Sequence, residues 1–166
     1  MRFYLSRSLH TFFLLASITA DSASASEDYL LYVNERYGYE ISYPATFIAH
    51  GVADAGDGQI FTSSAQDAEL RVYTSLCIPG ENLTTAEFIS KQTQAKMNRK
   101  VVVTYQRRGD GFAMVSGKIN SRVFYRKLLI RDGRYTQFSF EYEYAQKKKY
   151  GAFAARIVSS FRLPPE

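Results

Sequence analysis

Cysteine occurs once in these 166 residues, at Cys77, and tryptophan does not occur at all. One cysteine excludes an intramolecular disulfide, so the core must hold without a covalent staple. Cys77 follows a strand-like run and is expected as a small buried apolar residue; a free thiol or half of an intermolecular bridge are the alternatives. Histidine is almost as scarce, with His10 near the N-terminus and His50 further in. One histidine and one cysteine cannot complete a tetrahedral structural zinc site. His50 lies in a loop-like stretch with no nucleophile signature beside it, so no Ser-His or Cys-His catalysis is expected there. A glycine-rich phosphate loop is also lacking. Asp54 and Asp57 sit among glycines, but without the alternating aspartates and distal glutamate of a calcium loop. No cofactor is expected.

Long apolar runs are missing too, and the one short run has a different meaning. Arg2 and Arg7 precede the apolar segment Phe12 to Ile18, and Ala23-Ser24-Ala25 has the small-x-small form that a signal peptidase reads. Residues 1–25 are therefore expected as a cleaved signal peptide, with a cut after Ala20 as the weaker choice. The run is too short for a bilayer span, which takes about 20 mostly apolar residues. No cysteine lies near the cleavage region, which argues against a lipoprotein. A periplasmic or secreted protein without a transmembrane segment is expected. Taking residues 1–25 off the 166 leaves 141, enough for a single domain over 26–166.

Charge is mildly positive. The chain carries 21 Lys and Arg against 16 Asp and Glu, and losing Arg2, Arg7 and Asp21 trims the excess from +5 to +4. Such a small excess, on an exported chain, does not point to nucleic acid. Arg107-Arg108 and Lys147-Lys148-Lys149 are short clusters of the kind found on ordinary solvated surfaces. If the five converged in space, they would make an anionic-surface binder.

What the sequence has in quantity is aromatic bulk: 13 Tyr and 12 Phe. These supply large apolar area to a core. Tyr29 to Val33 is a short apolar run. Tyr39, Ile41 and Tyr43 alternate with polar residues as in a half-buried strand that Pro44 ends. Residues 51–58 read as a loop, and Gln59 to Thr62 and Leu70 to Leu76 as strands. Four more strands are predicted at Val101 to Gln106, Phe112 to Lys118, Arg122 to Ile130 and Tyr135 to Tyr144. Gly109-Asp110-Gly111 and Asp132-Gly133 stand where hairpin turns are needed, so these neighbours should pair antiparallel.

Two helices complete the pattern. Thr84 with Glu87 has capping-box spacing, and Leu83 with Phe88 has that of a hydrophobic staple, so a helix should start there and run to about Arg99. Tyr150, Phe153, Ala154, Ile157, Val158 and Phe161 recur at helical spacing and predict a second helix over about Gln146 to Phe161. The fold class is α+β, a central antiparallel sheet flanked by helices. Asn82-Leu83-Thr84 matches the glycosylation sequon, a pattern common by chance.

One pair of carboxylates has the spacing for chemistry. Glu141 and Glu143 are two apart on a strand and face the same way, as a general acid/base pair would. A solvated strand face has the same alternation and fits the aromatic opposite face better.

Two stretches resemble a known family. Asn34, Arg36, Tyr37, Gly38, Tyr39, Ile41, Tyr43 and Pro44 form N-x-R-Y-G-Y-x-I-x-Y-P, and the C-terminal helix closes in Ile157-Val158-Ser159-Ser160-Phe161-Arg162. Gly56 to Ser63 followed by Ala68 to Tyr73 adds to the likeness. Together they resemble the PsbP-like superfamily of α/β/α sandwiches, which includes small exported bacterial proteins of unassigned function. The resemblance implies a central antiparallel sheet with helices on both sides, and a binding or assembly role without catalytic residues. The leading expectation is a non-enzymatic binding or accessory module of the bacterial cell envelope, with a protein partner. The rivals are a small hydrolase or ligand-handling enzyme using Glu141 and Glu143, and the anionic-surface binder.

Overall fold

The computed structural model describes residues 28–51, 55–77, 83–94 and 99–165. Residues 1–25, expected as a signal peptide, and Asp54 and Asn82 lie outside these described residues.

The described chain opens with a hairpin, β1 (Tyr29–Val33) and β2 (Glu40–Pro44). Three strands follow, β3 (Phe47–His50), β4 (Gly58–Ser63) and β5 (Ala68–Leu76). Helix α1 (Thr85–Thr93) separates them from β6 (Val101–Gly109), β7 (Phe112–Ile119), β8 (Arg122–Arg131) and β9 (Arg134–Glu143). A single 3-10 turn (Tyr144–Gln146) leads into α2 (Lys147–Ser160). β3 to β9 form one seven-stranded sheet in the order β3-β4-β5-β9-β8-β7-β6. Every pairing in it is antiparallel.

Local chemistry sets this order. Asp132 and Gly133 both have positive φ, at 51° and 67°, so a two-residue turn matched to strand twist joins β8 to β9. Asp110-Gly111 also joins β6 to β7 in two residues, here with positive φ at Gly111 alone, at +67°. α1 occupies the connection after β5, and β5 then pairs with the last strand, β9, instead of with β6.

One face of the sheet is aromatic. Leu70, Val72, Phe138, Phe140 and Tyr142 pack there beneath Tyr150, Phe153, Ala154 and Ile157 of α2, all of them buried. The β1–β2 hairpin extends that layer. Tyr43 stacks on Phe61 of β4 with ring centroids 4.1 Å apart, and Tyr29 meets Phe153 edge-on. Phe161, just past α2, sits edge-on to Phe138 at 5.1 Å. The other face receives α1, whose Phe88 is buried against Ala113, Val115, Phe124 and Leu128. The result is a helix–sheet–helix sandwich with an antiparallel sheet at its centre.

Three local features differ from the sequence expectation. His50 is not in a loop; Phe47–His50 is the edge strand β3, paired with β4. α1 begins as expected, with Thr84 and Glu87 forming both hydrogen bonds of the capping box, but it ends at Thr93. Gln94 has already left helical geometry, at φ −65° and ψ 123°. The last turn, Gln92-Thr93-Gln94, offers no apolar side chain to bury, and packing is what sustains so short a helix. Tyr144, expected as the last residue of the final strand, lies instead in the 3-10 turn, and its ring is exposed there.

Candidate functional site

α1 covers only the β6–β7 side of its face of the sheet. The strands β4, β5 and β9 carry on that face side chains that no described element overlies: Ile60, Glu69, Arg71, Tyr73, Gln137, Ser139 and Glu141. Their placement follows from the period of two, since each alternates with a buried residue such as Leu70, Val72, Phe138 or Phe140.

Register decides which of these meet. Glu69 is opposite Glu141, Arg71 opposite Ser139 and Tyr73 opposite Gln137; on the other side of β9, Arg126 of β8 is opposite Ser139. Two carboxylates directly across a ladder repel. Each is instead turned to an arginine. Glu69 lies 3.0 Å from Arg71, and Glu141 accepts a hydrogen bond from Arg126. Arg126 also donates to Ser139 Oγ, at 3.2 Å, and to the side-chain oxygen of Gln92 on α1. Its side chain is only 16% exposed, so this one guanidinium ties β8, β9 and the helix together in a partly dry setting.

The result is a groove made of three depressions. The middle one, about 340 Å³, is lined by Arg71, Tyr73, Gln92, Arg126, Ser139 and Glu141 among others. It shares Arg71 and Tyr73 with a second, about 350 Å³, over Gly58 and Ile60. It shares Gln92 and Arg126 with a third, about 460 Å³, at the end of α1. Burial pushes the Tyr73 hydroxyl above the ordinary tyrosine range, against the pull of Arg71 and Arg126. Tyr73 is therefore a neutral donor and acceptor beside a flat aromatic surface.

No protein-family model matches the chain, and no curated protein sequence matches it. The solution structure of cyanobacterial PsbP (CyanoP) from Synechocystis sp. PCC 6803 is similar, with a TM-score of 0.59 over 90% of this chain and 100% of that one, at 17% identity. The fold is PsbP-like. At that identity the likeness concerns the fold alone.

Within this PsbP-like sandwich the residues singled out from the sequence fall as follows. Glu141 lines the groove, whereas Glu143 stands at the end of β9, held by Arg122 at 2.8 Å and by Ser121 at 3.1 Å. Arg122 Nε is also 3.9 Å from Glu141. The two carboxylates thus alternate with two arginines, Glu143–Arg122–Glu141–Arg126, and act as ion-pair partners across β8 and β9. His50 Nε2 is 2.7 Å from Thr62 Oγ1 on the neighbouring strand. The Asp57 backbone carbonyl accepts hydrogen bonds from Tyr39 and from the Thr74 amide, which fixes the turn before β4. Among the described residues no group of three His, Cys, Asp or Glu side chains is placed to hold a metal ion. Cys77 is half-buried and contacts the Tyr135 hydroxyl.

The two basic clusters do not converge. Arg107 is level with Phe138 of β9 through Met114 and Lys127, whereas Lys147, Lys148 and Lys149 follow the far end of β9 beyond Glu143. About 17 Å of strand lies between those levels, in addition to the spacing of three strands. A single anionic surface built from Arg107, Arg108, Lys147, Lys148 and Lys149 is therefore corrected: they stand at opposite ends of the sheet. The lysines have local partners instead, Lys147 over the Tyr144 ring and Lys149 over Tyr150.

Sequence reasoning missed Arg71, Tyr73, Gln92, Arg126 and Ser139. The available signal was an outward-facing aromatic next to an arginine on a strand, Arg71 and Tyr73, alternating with fully buried neighbours.

Proposed function

We propose that this chain is an exported, non-enzymatic binding or accessory module of the bacterial cell envelope, which takes a protein partner on the open half of its sheet. The observation that carries the reading is the groove across β4, β5, β9 and β8. Around its middle depression the charged groups are matched to one another, and Tyr73 offers an aromatic anchor of the type enriched at protein interfaces. A catalytic site would need a nucleophile or base within reach of a second activating group. In the groove the carboxylates are committed to arginines instead. A PsbP-like fold suits an accessory role.

Export is supported by Arg2, Arg7, the apolar segment Phe12 to Ile18 and Ala23-Ser24-Ala25. No helix among the described residues is long and apolar enough to cross a membrane.

The test is affinity capture after crosslinking in the native envelope, with the wild-type chain beside Arg71→Ala/Tyr73→Ala. A partner recovered by the first and lost by the second supports the reading. Equal recovery by both removes the groove from it.

A further inference from the structure

The depression at the end of α1 differs in charge from the rest of the groove. Val101 and Ile119 form its apolar part, Lys91, Arg99 and Arg126 stand around it, and no described carboxylate lines it. Three arginines of the neighbouring strands on this face have carboxylates: Arg71 has Glu69, Arg122 has Glu143, and Arg126, at the cavity's edge, has Glu141. Lys91 and Arg99 have none within ion-pair distance among the described residues. Lys91 gains from the carbonyl end of α1, where a cation in the last turn is favoured. That effect does not account for Arg99, which precedes β6 and reaches the cavity from a different element.

Gln92 accepts from Arg126 through its oxygen, which leaves its NH₂ group as a donor on the wall that this cavity shares with the middle depression. At about 460 Å³ the space is within the range of small-molecule sites.

We infer that this cavity binds an oxyanion, a phosphate or carboxylate group, on a molecule whose apolar part rests on Val101 and Ile119. Arg99 supplies a planar fork that pairs with two oxygens, Lys91 a mobile point charge, and Gln92 a neutral donor. Arg126, already neutralised by Glu141, holds Gln92 in place.

The inference goes beyond the protein-binding reading and fails separately from it, since a partner can be captured through Tyr73 whether or not this cavity takes an anion. Two probes are titrated at low salt against the exported chain, residues 26–166: inorganic phosphate, and vesicles of phosphatidylglycerol with phosphatidylcholine vesicles as blank. Saturable binding of either probe is expected, weakened at least tenfold in Lys91→Gln/Arg99→Gln and unchanged in Arg107→Gln/Arg108→Gln. The second variant removes the same charge at the other end of the sheet. Both targeted side chains are exposed, so the fold is retained, and the single variant Arg99→Gln repeats the test with a milder change. Binding of free phosphate identifies a soluble anion; binding of vesicles alone identifies a lipid headgroup. No saturable binding of either probe, or equal weakening by the two double variants, overturns the site.

Discussion

Arg126 on β8 donates a hydrogen bond to Glu141 on β9 and thereby fixes the one carboxylate that looks most available for acid/base work as an ion-pair partner. The pair sits at the junction of sheet and helix, because the same guanidinium also binds Gln92 of α1. The open face of the sheet is consequently a set of prearranged donors, acceptors and one aromatic surface.

Glu141→Gln should destabilise the fold by about 1–3 kcal/mol, the usual cost of losing a partly buried charge-assisted hydrogen bond. Glu143→Gln, whose partner Arg122 is more exposed, should cost less than about 1 kcal/mol. Urea unfolding of both variants measures the contrast. Equal losses would mean that Arg126 does not hold the groove as described.

Acid should act through Asp67. Its carboxylate accepts hydrogen bonds from the Tyr150 hydroxyl and, at 2.7 Å, from Ser63, and the Tyr150 bond is the main reason its pKa lies below the ordinary aspartate value. A carboxyl depressed in the folded state contributes stability that is present above its unfolded pKa of about 3.9 and is lost as pH falls from there through the folded value. Tyr150→Phe should therefore move the midpoint of acid unfolding to higher pH. Circular dichroism across pH 2 to 5 reads the shift, and coincident wild-type and variant curves would contradict it.

Gly117 meets β6 where the register slips between Val103 and Tyr105. A β-carbon there would lie 2.1 Å from the Val102 carbonyl oxygen, a backbone atom that cannot rotate away. Gly117→Ala should cost about 1–3 kcal/mol, as overpacking does. Because β6 carries Val101, the same variant should also weaken any ligand of the cavity at the end of α1. Thermal unfolding and phosphate titration check the two effects.

Thr84→Ala removes the side-chain half of the capping box and exposes the first amides of α1. Hydrogen exchange of α1 should quicken while β8 and β9, buried at the centre of the sheet, stay protected. Uniform loss of protection would mean that α1 is not a separate, weakly held element.

Much of this architecture was legible because local chemistry announces it. Asp132-Gly133 predicts its turn, Thr84 and Glu87 their cap, and the apolar stripe from Tyr150 to Phe161 its helix. β3 was not legible: Phe47-Ile48-Ala49-His50 has no alternation, and only pairing with β4 makes it a strand. The end of α1 depended on what the helix could bury, which is a tertiary fact. The groove was least legible. Tyr73, Gln92, Arg126 and Ser139 come from four elements, and only the β5–β9–β8 order brings them together. From the sequence, Gln137, Ser139, Glu141 and Glu143 were simply the polar side of a strand. That side was identified correctly, but its neighbours were not visible.

The central claim is that the open half of the sheet is the binding surface, and site-specific photo-crosslinking tests it most directly. A photoreactive phenylalanine analogue is placed at Tyr73 in one chain and at Ala155, on the exposed side of α2, in another. Both are expressed at native level and irradiated in intact cells. A discrete, reproducible adduct from position 73, absent from position 155 and lost on Arg71→Ala, is the predicted result. An adduct from position 155 alone, or none from position 73, would contradict the account.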